Sequence, residues 1–411
     1  MTDRIDVVVV GGGIAGSALG AVLARAGLAV HVLERATAYR DRVRGEWLSP
    51  WGVVEAQRLG LYETLVAAGG HHVPRFAGPD EVLAPGEADA EALDLGVLFP
   101  GVAGPLCLAH PIACTALAEA ATAAGATVLP GVSSVQITAG RAPEVRYRVG
   151  DGERTVRCRL VVGADGRRSV VRRQAGIPLH ADSPHHLFGG LLVADLDWPD
   201  DISIVGTERE VNFLLFPQGR GRARLYLGYA LEQRHRFAGP DAAAAFLRAF
   251  DLTCVPGSER IRQASPAGPC AAYSNEDTWT DAPFADGVVL VGDAAGYNDP
   301  IIGQGLSIAL RDVRLVSELV LGTTAWSPEL FAPYAEERRE RMRRLRFSAA
   351  LISTLYAEFG ADAVARRRRA LARFREDPLL QGARAAPFVG PEVVPADAFT
   401  EATRARLLAP A

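Results

Sequence analysis

The chain contains no lysine: all 44 of its basic residues are arginine. This excludes Schiff-base catalysis, a phosphate-binding loop built on lysine, and any mechanism that needs a reactive amine. The accompanying excess of alanine and arginine reads as genome composition, without functional content. Cysteine is scarce as well. Cys107, Cys114, Cys158, Cys254 and Cys270 are scattered, odd in number and without a C-x-x-C pair. That argues against a zinc site or a disulfide framework and for reduced thiols in a cytoplasmic protein. Each reads as a small buried hydrophobe, and no metal is expected. The net charge of -4 offers no general attraction to nucleic acid. No internal repeat is visible. One uncharged run, residues 7–24, has the length of a membrane helix or a signal-peptide core. Gly11, Gly12 and Gly13 oppose a continuous helix, at a cost of about 1 kcal/mol each. Asp3 and Asp6 also stand where a signal peptide carries positive charge. No integral membrane segment is expected.

The same stretch carries the strongest positive signal. Residues 5–10 read as a strand with four consecutive valines, apolar on both faces as a central parallel strand is. Gly11, Gly13 and Gly16 fit G-x-G-x-x-G. A helix rich in alanine and leucine opens at Ile14 and Ala15. A second strand then ends at Glu34 and Arg35. In such a unit the first glycine permits the tight turn and the second admits a pyrophosphate to the backbone. The third lets the helix pack against the strand. The free N–H groups and dipole of the helix start favour the phosphate charge. Glu34 lies where an acid accepts hydrogen bonds from an adenosine ribose. A dinucleotide site is expected.

A length of 411 residues, 49% of them apolar, suggests two or more packed units. Residues 47–51 lead into a helix. Residues 69–105 read as a loop with short strands, part of a second domain. Residues 113–124 read as a helix, and 127–129, 132–137, 145–149 and 154–162 as strands. From 181 to 282 the pattern changes to antiparallel strands, at 187–193, 211–216 and 224–231. Residues 287–291 return to a buried strand and 305–321 form a long apolar helix. Residues 328–375 read as helical, and the tail from Asp377 as loosely ordered. The arginine groups at 338–346 and 366–369 are interleaved with glutamates. They read as a solvated, salt-bridged helix face, not a membrane or RNA patch.

Two further strand ends carry chemistry. Asp165 and Gly166 follow a buried strand and make a tight turn, a pattern shared with ordinary surface turns. Asp293, in Gly292-Asp293-Ala294-Ala295, can accept hydrogen bonds from sugar-like hydroxyls. Pro300, Gly303, Gln304, Gly305 and Leu306 then open the long helix, where backbone N–H groups stabilise negative charge.

Together the three motifs resemble the para-hydroxybenzoate hydroxylase family, the single-component (group A) FAD-dependent aromatic monooxygenases. The resemblance runs from Ile5 to about Tyr334. It implies an α/β fold: a Rossmann-type, glutathione-reductase-like FAD-binding domain with an inserted, mostly antiparallel β-sheet substrate domain and C-terminal helices. The first would comprise residues 1–75, 105–180 and 283–330, the second 76–104 and 181–282, and the helical region with its tail 331–411. The resemblance assigns the ADP half of FAD to Gly11, Gly13, Ile14, Ala15, Gly16, Glu34 and Arg35. It puts Asp165 near the FAD and NAD(P)H pyrophosphates and Asp293 at the ribityl or phosphate region. Pro300 and Gly303 to Leu306 would line the isoalloxazine, and Arg44 resembles an arginine that contacts FAD. Two positions depart from the pattern. Gly296 stands where relatives often carry His, followed by Tyr297 and Asn298, and His110 stands where many carry Arg.

The implied activity uses NAD(P)H and O2, through a C4a-hydroperoxyflavin, to hydroxylate an aromatic or polyketide-like small molecule. The flavin carries the hard chemistry while the protein supplies position, dryness and charge control. A phenolic substrate gains from a base. His185, His186, Tyr226, Tyr229 and Tyr273 are the candidates, with Tyr226 chosen as catalytic and the histidine pair expected at the surface. Strand alternation puts Arg224, Tyr226 and Gly228 on one face and Leu225, Leu227 and Tyr229 on the other. Gly228 is expected to leave room for a ligand. Halogenases share the FAD modules, but the missing lysine and the lack of a W-x-W-x-I signature argue against halogenation. A flavin dehydrogenase or reductase, and a non-catalytic FAD-bound pathway protein, stay open. Substrate identity, NADH versus NADPH and oligomeric state are not legible.

Overall fold

The computed structural model describes residues 5–43, 45–84 and 86–410, so Arg44 lies outside the described residues. The four valines form the strand Val7–Val10, wholly buried. It lies inside a six-stranded sheet, paired in parallel with Val30–Leu33 on one side and Leu160–Gly163 on the other. Thr127–Leu129 and Val288–Leu290 extend this parallel sheet, and Phe284–Ala285 closes one edge antiparallel. The unbroken apolar run has a simple cause. Val7 and Val9 pack into one core with the helix Ile14–Arg25, while Val8 and Val10 pack into another on the opposite face.

The expected strand over 154–162 is two strands in two sheets. Gly152–Arg157 belongs to a three-stranded antiparallel sheet with Glu144–Val149 and Val132–Thr138, whereas Leu160–Gly163 belongs to the parallel sheet. The break falls where the Arg159 and Leu160 N–H groups both bond to the Asp6 carbonyl. The first piece is mostly exposed and the second continuously apolar, so two different patterns run together in the sequence.

The segment 186–275 builds most of an eight-stranded sheet around the antiparallel strands His186–Ala194, Arg222–Tyr229, Val211–Gly219 and Ile202–Glu208. Ile202–Glu208 escaped the sequence reading because Ser203, Gly206 and Thr207 dilute its apolar pattern. It also pairs in parallel with Arg75–Ala77, which with Leu93–Asp94 joins this sheet, whereas His71–His72 pairs in a separate small sheet. The two faces differ as the alternation requires. Leu225, Leu227 and Tyr229 pack into a core with Phe246 and Phe250. Tyr226, Phe188, Leu214 and Phe216 face Trp47, Ile301, Ile302 and the helix Ala332–Tyr356.

Two expectations about the C-terminal region fail. The tail is helical, at Pro378–Val389 and Glu401–Leu408. Leu380, Ala383, Ala386 and Phe399 close a core with Leu351 and Leu355. Pro378 starts a helix, occupying its first turn behind an Asp377 cap to the Leu379 N–H, and Pro387 is carried inside that helix. The arginine face is only partly solvated. Arg343 and Arg344 pair with Glu340 near the surface. Arg338, Arg341 and Arg367 are buried. Among the described residues no helix is long and apolar enough to cross a membrane.

Candidate active site

A cavity of about 1260 Å³ opens between the C-terminal ends of the parallel strands and the inner face of the eight-stranded sheet. Gly13, Asp165 and Asp293, from three distant motifs, all line it. At the first corner the three glycines divide their work. Gly11, at φ 103°, lies so close to the following crossover that an added Cβ would sit 2.4 Å from the Ala164 carbonyl oxygen. At Gly16 an added Cβ would sit 1.8 Å from the Gly11 oxygen, so this glycine does not line the cavity; it allows helix and strand to touch. Gly13 is the opposite case. Nothing lies within 4 Å of a Cβ built there, and no side chain caps the helix that starts beside it. Ile14, Ala15 and Arg35 line the cavity alongside it. The Glu34 carboxylate accepts from the Gly12 N–H at 2.7 Å and the Ala36 N–H at 2.6 Å, which fixes it across the glycine turn.

The second corner is a capped turn. Both Asp165 oxygens cap the next helix, accepting from Ser169 Oγ at 2.6 Å and the Val170 N–H at 2.6 Å. Asp165 therefore shapes the turn, and Arg167 reaches from it to Glu276 while lying 3.9 Å over the Tyr297 ring. At the third corner Asp293, Pro300, Gly303, Gln304, Gly305 and Leu306 line the cavity. The Gln304 side chain is spent inward, accepting from Trp51 Nε1 at 2.8 Å. The helix Gly305–Leu321 thus begins with no side-chain cap. Gly296 has a structural reason: at φ 135° a Cβ would lie 2.5 Å from the Thr278 carbonyl oxygen. His110 lines the cavity with Nε2 3.5 Å from Cys114 Sγ, and Gly45 packs against its ring.

The far end of the cavity is aromatic. Trp47, Phe188, Phe216, Tyr226 and Tyr273 line it with Leu214. Trp47 and Phe216 have ring centroids 5.9 Å apart, and Tyr226 stands edge-on to Phe188 at 6.2 Å. Beneath them lies a buried charge cluster. Tyr226 donates its hydroxyl proton to Glu46 Oε2. Arg224 Nη2 lies 2.9 Å from Glu46 Oε1 and 2.7 Å from Asp41 Oδ2. Burial pushes the Glu46 carboxyl up, opposed by Arg224 and by the Tyr226 hydrogen bond. Burial, then the Glu46 charge, holds the Tyr226 phenol well above its ordinary range.

The other candidate bases separate. Tyr273 lines the cavity; Tyr229 lies in the core behind the sheet against Phe237. The expected surface pair of histidines is one exposed residue, His185, and one fully buried, His186. Burial, then His185, pushes the His186 imidazole down to about 3. It lies 3.6 Å from Asp299, whose carboxyl burial pushes up to about 8. Gly228 leaves no room for a ligand. Asn212 and Phe188 already lie 3.3 Å from where its Cβ would be.

The profile of the FAD binding domain family matches residues 4–348. The chain belongs to this FAD-binding family. It is 30% identical over 357 residues to a menaquinone reductase of Mycolicibacterium smegmatis, covering 82% of each chain. It is also 30% identical to a rifampicin monooxygenase of Streptomyces venezuelae, covering 90% of this chain and 75% of that one. The p-nitrophenol 4-monooxygenase structure from Pseudomonas putida superposes with a TM-score of 0.78 at 20% identity, covering 93% and 96% of the two chains, a likeness of fold. The family resemblance read from the sequence therefore holds, and the chain is an enzyme of this FAD-dependent family, whose relatives include both a reductase and a monooxygenase. FAD fits the site. The open space at Gly13 is a cradle that a Cβ would fill, and two uncapped helix starts face the cavity.

Sequence reasoning missed the buried partners. Glu46 was not singled out, although it directly precedes the apolar Trp47 and Leu48. Arg338 passed as a surface charge. The signal was there: Tyr334, Ala335, Met342, Leu345 and Ala349 form the buried stripe of its helix, and Arg338 lies on that stripe.

Proposed function

We propose that the enzyme is an FAD-dependent hydroxylase that takes electrons from NAD(P)H and O2 as oxidant, and that acts on an aromatic or polyketide-like small molecule. The observation that supports this is one continuous cavity with a glycine-lined nucleotide end and an aromatic end. In this reading Gly11, Gly13, Ile14, Ala15, Glu34 and Arg35 hold the ADP half of FAD. Asp165 shapes the pyrophosphate turn, Asp293 takes the ribityl region, and Pro300 with Gly303 to Leu306 lies along the ring system. The two sheets act as a cofactor domain and a substrate domain. Bound FAD supplies the redox and oxygen chemistry. The side chains supply position, dryness and proton control. A substrate hydroxyl at the aromatic end donates to Tyr226 Oη, while the Tyr226 proton moves to Glu46 Oε2. The proton taken from the ring thus rests on a buried carboxylate whose proton affinity burial has raised.

A reductase that uses the flavin without O2 is the second reading, favoured by the menaquinone reductase relative. The two separate under anaerobic turnover. Ring compounds that stimulate NAD(P)H oxidation are incubated with enzyme in air and under argon. Product that forms only in air supports the hydroxylase. Equal product under argon replaces it with the reductase.

A further inference from the structure

The apolar surface at the aromatic end continues past the cavity lining. Phe216, on the wall, neighbours Ser203 on the next strand, since Ile204 stands opposite Leu215 and the faces alternate. Ser203 pairs in turn with Phe76, and Phe76 with Leu93 at the sheet edge. One row of the inner face thus runs from the cavity wall to the surface across three strand intervals, about 14 Å. A second line of rings accompanies it. Trp47, also on the cavity wall, stands edge-on to Phe388 with centroids 6.2 Å apart, and Phe388 stands edge-on to Phe76 at 5.0 Å. Phe76 and Phe388 are each only partly buried, so side chains that border solvent close the outer end of this seam. Ser203, between two phenylalanines of the row, is buried, and its hydroxyl has no hydrogen-bond partner among the described residues. Nor has Trp47 Nε1. An ordinary core avoids both. The mouth is apolar: Leu93 is 48% exposed and Val97 75%. Val393, in the turn after the helix that carries Phe388, is 63% exposed.

We propose that the ring substrate carries an apolar chain, which leaves the chamber between the Phe216–Ser203–Phe76 row and the Trp47 and Phe388 rings and ends at Leu93. The inference rests on the hydroxylase reading in one respect: it takes the aromatic end as the place where the ring sits. The driving force is removal of apolar surface from water. A chain in the seam is buried along most of its length, and its end covers the exposed side chains at the mouth. Passage requires Phe388 to turn away from Phe76, a movement of side chains at the surface that leaves both sheets in place.

The test measures binding to the oxidised holoenzyme by flavin difference spectra, with neither NAD(P)H nor reaction. The probes are 4-n-alkylphenols from methyl to decyl, each kept below the concentration at which it aggregates. The wild type is expected to bind the decyl compound at least about a hundredfold more tightly than the methyl one, since each methylene removed from water adds up to about fourfold. Leu93→Glu places a charge at the mouth, at an exposed position that only a long chain reaches. It should cut the decyl-to-methyl affinity ratio by at least about tenfold. Ser203→Leu blocks the row partway and should cut the ratio in the same way; should that variant fail to hold FAD, Leu93→Glu decides alone. An unchanged ratio in Leu93→Glu overturns the inference, because the chain then lies elsewhere. So does wild-type affinity that peaks at a short chain, or a protein that binds no member of the series. An unchanged ratio together with an altered elution volume in Leu93→Glu assigns the mouth to contact with a second copy of the chain, and overturns the inference as well. Because no turnover is read, loss of the hydroxylase reading in the anaerobic experiment leaves this ratio measurable.

Discussion

Gly13 and Gly16 stand three positions apart in one motif, and the space around them separates ligand from fold. A Cβ at Gly13 enters the cavity, whereas one at Gly16 enters the Gly11 backbone. Gly13→Ala should therefore keep the thermal midpoint of the apoprotein while weakening FAD by at least about tenfold in a fluorescence titration. Gly16→Ala should instead cost roughly 3 kcal/mol of stability, seen in denaturant unfolding. This motif was legible because its residues are local in the chain. The Tyr226–Glu46 contact spans 180 residues and was not legible, since no spacing rule connects positions so far apart. Tyr226→Phe should retain FAD yet lower kcat on a phenolic substrate by about 10² or more, as loss of a proton acceptor does. Asp299 and His186 make a pH prediction. From pH 3.8 to about 8 the unfolded chain ionises Asp299 while the folded chain does not, so stability falls as pH rises through that window. His186, neutral in the fold down to about 3 and ordinarily titrating at 6.5, gives the opposite slope below 6.5. Above that only the Asp299 slope remains. Asp299→Asn should remove a loss of about 2 kcal/mol between pH 6.5 and 8, measured by unfolding at each pH.

The helix Ala332–Tyr356 shows why the C-terminal elements were harder to read than the first. Arg338 donates to the carbonyls of Gly292, Ala295 and Gly296, each at 3.1 Å, and to Asp312 at 3.0 Å. Asp312 in turn accepts from the Gly292 N–H at 2.8 Å. The two buried charges clamp the turn that carries Asp293 and join the long helix to its neighbour. Burial works against the Asp312 charge, but Arg338 and Arg341 more than offset it and hold its carboxyl below the ordinary range. Arg338→Ala should cost roughly 3–5 kcal/mol by leaving Asp312 buried with half its compensation, and should release FAD at lower denaturant than the wild type. Composition hid this: an arginine-rich helix reads as solvated until its neighbours are known. The glycine-turn unit and the long helix Gly305–Leu321 were legible because their apolar patterns are unbroken. The tail was not, because Pro378 starts a helix and Pro387 is carried inside it without ending it.

At the scale of the molecule, the two sheets meet around one cavity, and this meeting turns three separate turns into a single site. The class was legible from three ordered motifs. The chemistry of the far wall was not, because it is assembled from the strand that holds Trp47 and from four strands of the eight-stranded sheet. Folds of this kind host many reactions by changing that wall. The reductase and monooxygenase relatives illustrate the range. The central claim is that oxygen from O2 is delivered to a ring held against Tyr226. Mass spectrometry of product formed under ¹⁸O₂, with a ring compound that stimulates NAD(P)H oxidation, tests it directly. One ¹⁸O atom per product molecule is expected. Product without ¹⁸O, at undiminished turnover, would contradict it.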